Sequence, residues 1–96
     1  MTKVVQVTSY NELSKLLSAA QDSITIIEFY DTSNGICNLL SPRIQSKINC
    51  SGVKIKLVRV DVLICPELHV HYKISKLPTV IGLRGSQVLV TDNWTN

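Results

Sequence analysis

Long apolar runs are missing from this 96-residue chain. No stretch reaches the roughly 20 residues needed to cross a bilayer. The N-terminal "MTKVVQVTSYNEL" holds a lysine but no continuous apolar segment, so no signal peptide is legible there. The expected compartment is therefore the cytoplasm, with no membrane partner. A basic tract is missing too. The ten Lys and Arg residues are scattered, the formal net charge is a mild +3, and Lys54 and Lys56 alternate as the solvated side of a strand would. That pattern gives no footprint for nucleic acid.

Cysteine is scarce and odd in number. Cys37, Cys50 and Cys65 cannot form a complete disulfide framework. The triplets Asn49-Cys50-Ser51 and Asn93-Trp94-Thr95 match the N-glycosylation pattern, and in a cytoplasmic setting they read as chance. Cys65 and His69 stand four apart, a spacing that can share a metal, but two further ligands are needed and only Asp61 and Glu67 are near. Solvated histidines on an amphipathic helix explain the pattern better. No metal site and no cofactor are expected. Linkers, repeats and low-complexity segments are absent, so residues 1–96 read as a single domain.

What is present is strongly patterned. Residues 3–7, "KVVQV", read as a first strand. Ser9-Tyr10-Asn11-Glu12 is a capping box, and Leu13, Leu16, Leu17 and Ala20 follow at helical spacing. Residues 23–30, "SITIIEFY", are apolar on both faces, as in a central parallel strand, apart from Glu28. Cys37, Leu40, Ile44 and Ile48 mark one face of a second helix, with Pro42 inside it as an expected kink. Residues 53–62 form a third strand, 66–74 a short helix opening on Pro66, and 78–92 a hairpin turning at Arg84-Gly85-Ser86. The order β-α-β-α-β-α-β-β implies an α/β fold with a mixed sheet: a parallel core and an antiparallel closing pair.

One stretch has two readings. Asn34-Gly35 alone signals a type I′ hairpin turn. Followed by a helical stripe, it can instead be a strand-to-helix corner, with Asn34 as the cap and Cys37 in the first turn.

At this corner the sequence resembles the thioredoxin family, over essentially its whole length. That family carries an apolar-acid-Phe strand, a Trp-Cys-Gly-Pro-Cys corner and a proline five residues after the second cysteine. Here the corresponding residues run Ile27-Glu28-Phe29-Tyr30-Asp31-Thr32-Ser33-Asn34-Gly35-Ile36-Cys37, with Pro42 five beyond Cys37. The family's Tyr-x-Ile-x-x-apolar-Pro-Thr segment, whose proline is cis, has its counterpart in Tyr72 to Thr79. The resemblance implies a thioredoxin-like fold and favours the capped-helix reading of Asn34.

The departures bear on function. Asn34 replaces the first cysteine, Ser33 the tryptophan and Ile36 the proline between the cysteines. In the family the first thiol attacks a substrate disulfide and the second resolves the mixed disulfide. An asparagine cannot attack sulfur. Cys37 could be a helix-terminal thiol of lowered pKa or an inert buried one, and its place on the apolar stripe favours the second. Glu28 matches the family's buried acid, which the resemblance makes the proton acceptor for the second cysteine, here Cys37; without a working Cys37 its carboxylate is expected to lean on a nearby donor such as Lys56 or a water.

The expected function is a thioredoxin-like protein that has lost disulfide reductase activity and acts as a protein-binding or redox-regulatory module. The alternative is a monothiol redox protein working through Cys37 mixed disulfides, assisted by a small thiol. Ser33, Gly35, Ile36, Leu77 and Pro78 would offer a partner protein or extended peptide the corner formed by residues 33–37 and 76–79. The chain stops at Asn96, where the family adds a final amphipathic helix. Val88, Leu89 and Val90 are thus expected to lie open, to be met by a homodimer through the uncovered sheet face, by a partner, or by Trp94 folded back as a lid.

Overall fold

The computed structural model describes residues 3–20, 22–52 and 55–93. Its elements are β1 (Lys3–Val7), α1 (Tyr10–Ala19), β2 (Ile24–Tyr30), α2 (Gly35–Cys50), β3 (Ile55–Asp61), α3 (Pro66–His71), β4 (Thr79–Arg84) and β5 (Gln87–Asn93). The five strands form one mixed sheet in the order β1-β3-β2-β4-β5. β1 and β2 run parallel to β3, while β4 runs antiparallel to both β2 and β5. This is the α/β architecture expected from the sequence.

Alternation along the strands assigns the two sheet faces. Val7, Ile27, Phe29, Val58, Val60, Ile81 and Leu83 point to one side and pack with Leu13 and Leu17 of α1 and Leu68 of α3. Leu40, Ile44 and Ile48 of α2 cover the other side, against Leu57 and Val80 with Ile26 and Ile55. Full burial of one such side chain stabilises by about 1.5–3 kcal/mol. The larger of these two clusters is therefore the chief source of stability. The Thr25 hydroxyl is fully buried with no hydrogen-bond partner among the described residues.

Local signals act as the sequence implies, with refinements. The Ser9 hydroxyl accepts from the Glu12 backbone N–H at 3.1 Å. Glu12 reaches back one residue further than a capping box requires, accepting from the Thr8 N–H at 3.2 Å and the Thr8 hydroxyl at 2.6 Å. These bonds to Thr8 hold the exposed Glu12 carboxyl below its ordinary range. α2 continues through Pro42 as one 16-residue helix. The two-residue turn after Arg84 relies on Gly85 at φ 57°, the positive φ that such hairpins need.

The third helix is shorter than the expected 66–74. It ends at His71 because Lys73 adopts the left-handed conformation, φ 55°. The Ile74 N–H then bonds back to the His69 carbonyl at 3.0 Å and the Lys73 N–H to Val70 at 3.1 Å. These are the two bonds of a Schellman cap, which stops a helix.

β5 is the outermost strand on its side of the sheet, and Val88, Leu89 and Val90, expected to lie open, are 44%, 51% and 57% exposed. Trp94, proposed above as a lid, lies outside the described residues. No helix among the described residues is long and apolar enough to cross a membrane.

Candidate functional site

The ends of three strands meet at one edge of the sheet. Tyr30 at the end of β2 stands beside Asp61 at the end of β3. Thr79, which opens β4, pairs with Phe29. The segments 31–34, 62–65 and 76–78 therefore leave the sheet side by side. The Val62 N–H donates to the Tyr30 carbonyl at 3.0 Å and keeps the second segment against the first. The Leu77–Pro78 peptide bond is cis.

The 31–38 corner is held by its own short polar side chains. Asp31 Oδ1 accepts from the Ser33 N–H at 2.8 Å and the Ser33 hydroxyl at 2.7 Å. Asn38 Nδ2 donates to the Thr32 carbonyl at 2.9 Å. Asn34 has an extended backbone, and its Oδ1 accepts from the N–H groups of Ile36 at 2.9 Å and Cys37 at 3.2 Å. It is thus the N-cap of α2, and the hairpin reading of Asn34-Gly35 is set aside. The cap also takes up the donors that a helix N-terminus would otherwise offer to an anion.

Cys37 sits one turn inside, 1% exposed. Burial pushes its thiol up from the ordinary value of 9.0, and the nearby Asp31 and Glu28 charges add to the rise. A hydrogen bond from the Asp31 backbone and the Arg59 cation pull the other way and are outweighed. The stripe Cys37-Leu40-Ile44-Ile48 is buried throughout, so the inward orientation drawn from spacing holds.

Glu28, fully buried, has a partner the sequence reading missed. Its carboxylate accepts from the Ser41 hydroxyl, and from Arg59 Nε at 3.2 Å. Lys56, expected in that role, is paired in register with Thr25 and projects from the opposite side of β3. Arg59 stands directly across from Glu28 in the parallel ladder, so the two share a face. Arg59 also donates to Ser41 Oγ at 3.4 Å and lies 4.0 Å over the Tyr30 ring. The Tyr30 hydroxyl in turn accepts from Gln6 Nε2 at 2.6 Å. Only the β2–β3 register brings Arg59 to Glu28, and no local sequence pattern carries that register.

Around the corner the surface is apolar. Ile36 and Leu39 on the first turns of α2 are 57% and 58% exposed, and Leu63 and Ile64 after β3 are 64% and 56% exposed. Ser33 and Gly35 are exposed, Leu77 half-buried and Pro78 buried. Cys65 is buried with its thiol facing Glu67 Oε1 at 3.4 Å, and no group of three or more metal-ligating side chains forms among the described residues.

A sheet flanked by three helices, with a capped helix and a cis-proline segment meeting at one edge, defines a class. The Thioredoxin family model matches residues 3–93, and the chain belongs to the thioredoxin family. Among its relatives, Thioredoxin-1 of Drosophila melanogaster is 27% identical over 88 residues, covering 92% of this chain and 82% of the relative. Thioredoxin-T of the same fly is 24% identical over 86 residues, and the match spans 55% of that longer protein. The crystal structure of reduced Schistosoma mansoni thioredoxin pre-protein superposes with a TM-score of 0.83 at 21% identity, covering 95% of this chain and 85% of the other. Family and fold support a thioredoxin-like, redox-class role.

Proposed function

We propose that this chain is a thioredoxin-fold binding module without disulfide reductase activity. The carrying observation is Asn34. Its side chain caps α2 through two backbone N–H groups, at the position where the resemblance to thioredoxins puts the attacking thiol. An amide oxygen so engaged stabilises the corner and supplies no nucleophile. The monothiol alternative needs a reachable thiol that ionises readily. Cys37 is buried and its thiol is shifted toward the protonated form. Glu28, the acid that would serve that thiol, is engaged by Arg59 and Ser41.

The binding surface is the corner of residues 33–37 and 76–79, extended by Leu39, Leu63 and Ile64. β4 enters the ladder only at Thr79, which leaves the Leu77 N–H and C=O outside it. An extended peptide with apolar side chains fits this arrangement: backbone bonds to Leu77 set its direction and the apolar collar takes its side chains.

The test is disulfide reduction with dithiothreitol as electron source. The native chain and Cys37→Ser are expected to be equally silent, and Asn34→Cys to gain turnover. Turnover by the native chain that Cys37→Ser abolishes would overturn the proposal in favour of the monothiol enzyme.

A further inference from the structure

An open cavity of about 310 Å³ lies between α1, the end of α3 and the β4–β5 hairpin. Tyr10, Leu13, Ser14 and Leu17 form its first wall, and their i, i+3, i+4, i+7 spacing puts all four on one side of α1. His71 and Tyr72, where α3 ends, form the second. Ser86 and Val88 of the hairpin close the third. The cavity shares no residue with the corner of 33–37 and 76–79, so what it binds is independent of what the corner binds.

The aromatic part of the wall is held in place. The His71 ring stands edge-on to Tyr10, 5.1 Å between centroids, and to Tyr72 at 4.8 Å. Tyr72 in turn is tilted against the fully buried Phe29 at 5.8 Å, which ties the row of rings to the core. Rings fixed in this way lose little freedom when a ligand arrives. Polar atoms interrupt the wall: the hydroxyls of Tyr10, Ser14, Tyr72 and Ser86 and the His71 imidazole. None of the five is hydrogen-bonded to another described residue, so their bonding capacity is left to whatever enters the cavity. No Asp, Glu, Lys or Arg lines it.

We infer that this cavity binds a small, uncharged, planar aromatic molecule carrying a hydroxyl or a ring N–H. Each part of that description comes from one feature of the wall. The volume lies at the low end of small-molecule pockets, which run from about 300 to 1,000 Å³, and limits the ligand to one or two fused rings. The rings of Tyr10, His71 and Tyr72 favour an aromatic over a saturated partner through edge-to-face contact. The four hydroxyls and the imidazole can meet a hydroxyl or N–H, whereas a carboxylate would find no lysine or arginine in the wall.

The probe is 2-naphthol, with 2-naphthoate and decahydro-2-naphthol as its charged and saturated counterparts. Each is titrated into the isotope-labelled full chain at about pH 7.5, where an ordinary histidine is mostly neutral, and read by backbone amide shifts. 2-Naphthol should saturate with a Kd of order 0.1–1 mM, as suits a ligand of about a dozen heavy atoms. Its shifts should cluster at residues 10–17, 71–72 and 86–88. 2-Naphthoate should bind about tenfold more weakly or worse, and the saturated alcohol several-fold more weakly. Tyr10→Ala removes an exposed part of the wall, and Val88→Trp, also at an exposed position, fills the cavity. Each should weaken 2-naphthol about fivefold or more while the circular dichroism spectrum is unchanged. No saturation in the millimolar range, shifts centred on residues 33–39, equal affinity for the three compounds, or indifference to both variants would each overturn the inference.

Discussion

Replacing Arg59 by methionine tests the buried network most sharply. The change keeps side-chain bulk along β3 and removes the guanidinium, leaving the fully buried Glu28 carboxylate with the Ser41 hydroxyl alone. Breaking a buried pair by deleting one partner typically costs about 3–5 kcal/mol, because the remaining charge is desolvated and uncompensated. Here the Arg59 side chain is 24% exposed, so water can reach part of the vacated space. The cost is accordingly discounted to about 2–4 kcal/mol, including about 0.5–1 kcal/mol for the lost contact with the Tyr30 ring. Urea unfolding at pH 7 is the assay. With a slope of about 1–3 kcal/mol per molar, the midpoint should fall by roughly 1–3 M. The decisive comparison adds Glu28→Gln. Glutamine keeps a hydrogen bond to Ser41 and carries no charge, so the double variant should be more stable than Arg59→Met alone, by about 1–2 kcal/mol. If Glu28→Gln destabilises the Arg59→Met protein as much as it destabilises the native one, the pair is not coupled and the reasoning fails.

Four further outcomes follow from individual residues. Cys37 and Cys65 have thiols raised by burial, so the folded chain holds their protons after the unfolded chain has released them. Stability should therefore be full below the ordinary thiol value of 9.0 and fall as pH rises beyond it, with a shallower fall in Cys37→Ala, measured by urea midpoints at stepped pH. An aromatic disulfide reagent should label Cys50, the exposed cysteine, at once and the other two only on unfolding; fast labelling of Cys37 would contradict the burial argument. Lys73→Gly should raise the thermal midpoint by a few degrees, since glycine removes about 1–2 kcal/mol of left-handed strain and returns part of it as unfolded-chain entropy. Thr25→Val, which deletes a buried hydroxyl lacking a described partner, should stabilise by about 1 kcal/mol, and a loss of stability would reveal a bond to that hydroxyl.

The sequence by itself determined the succession of elements. Period-2 and period-3.6 apolar patterns report which side of a segment is buried, and the Ser9 cap and the Gly85 turn act within a few residues of themselves. The corner was legible for the same reason, because Asn34 caps through N–H groups two and three residues away. What lay beyond was decided by contacts between segments distant in the chain. Glu28 and Arg59 are thirty-one residues apart, and only the parallel register of β2 on β3 sets them face to face and sends Lys56 to the other side. The length of α3 was missed because its apolar pattern continues to Ile74. The chain turns left-handed at Lys73, where Ile74 must reach the core while still bonding to His69. The apolar collar of Ile36, Leu39, Leu63 and Ile64 likewise exists only after folding. Leu39 lies off the buried stripe of its helix, and Leu63 and Ile64 follow the end of β3, which stands beside the end of β2. Local periodicity reports burial, whereas proximity between strands belongs to the sheet register, and the register is a property of the whole tertiary structure.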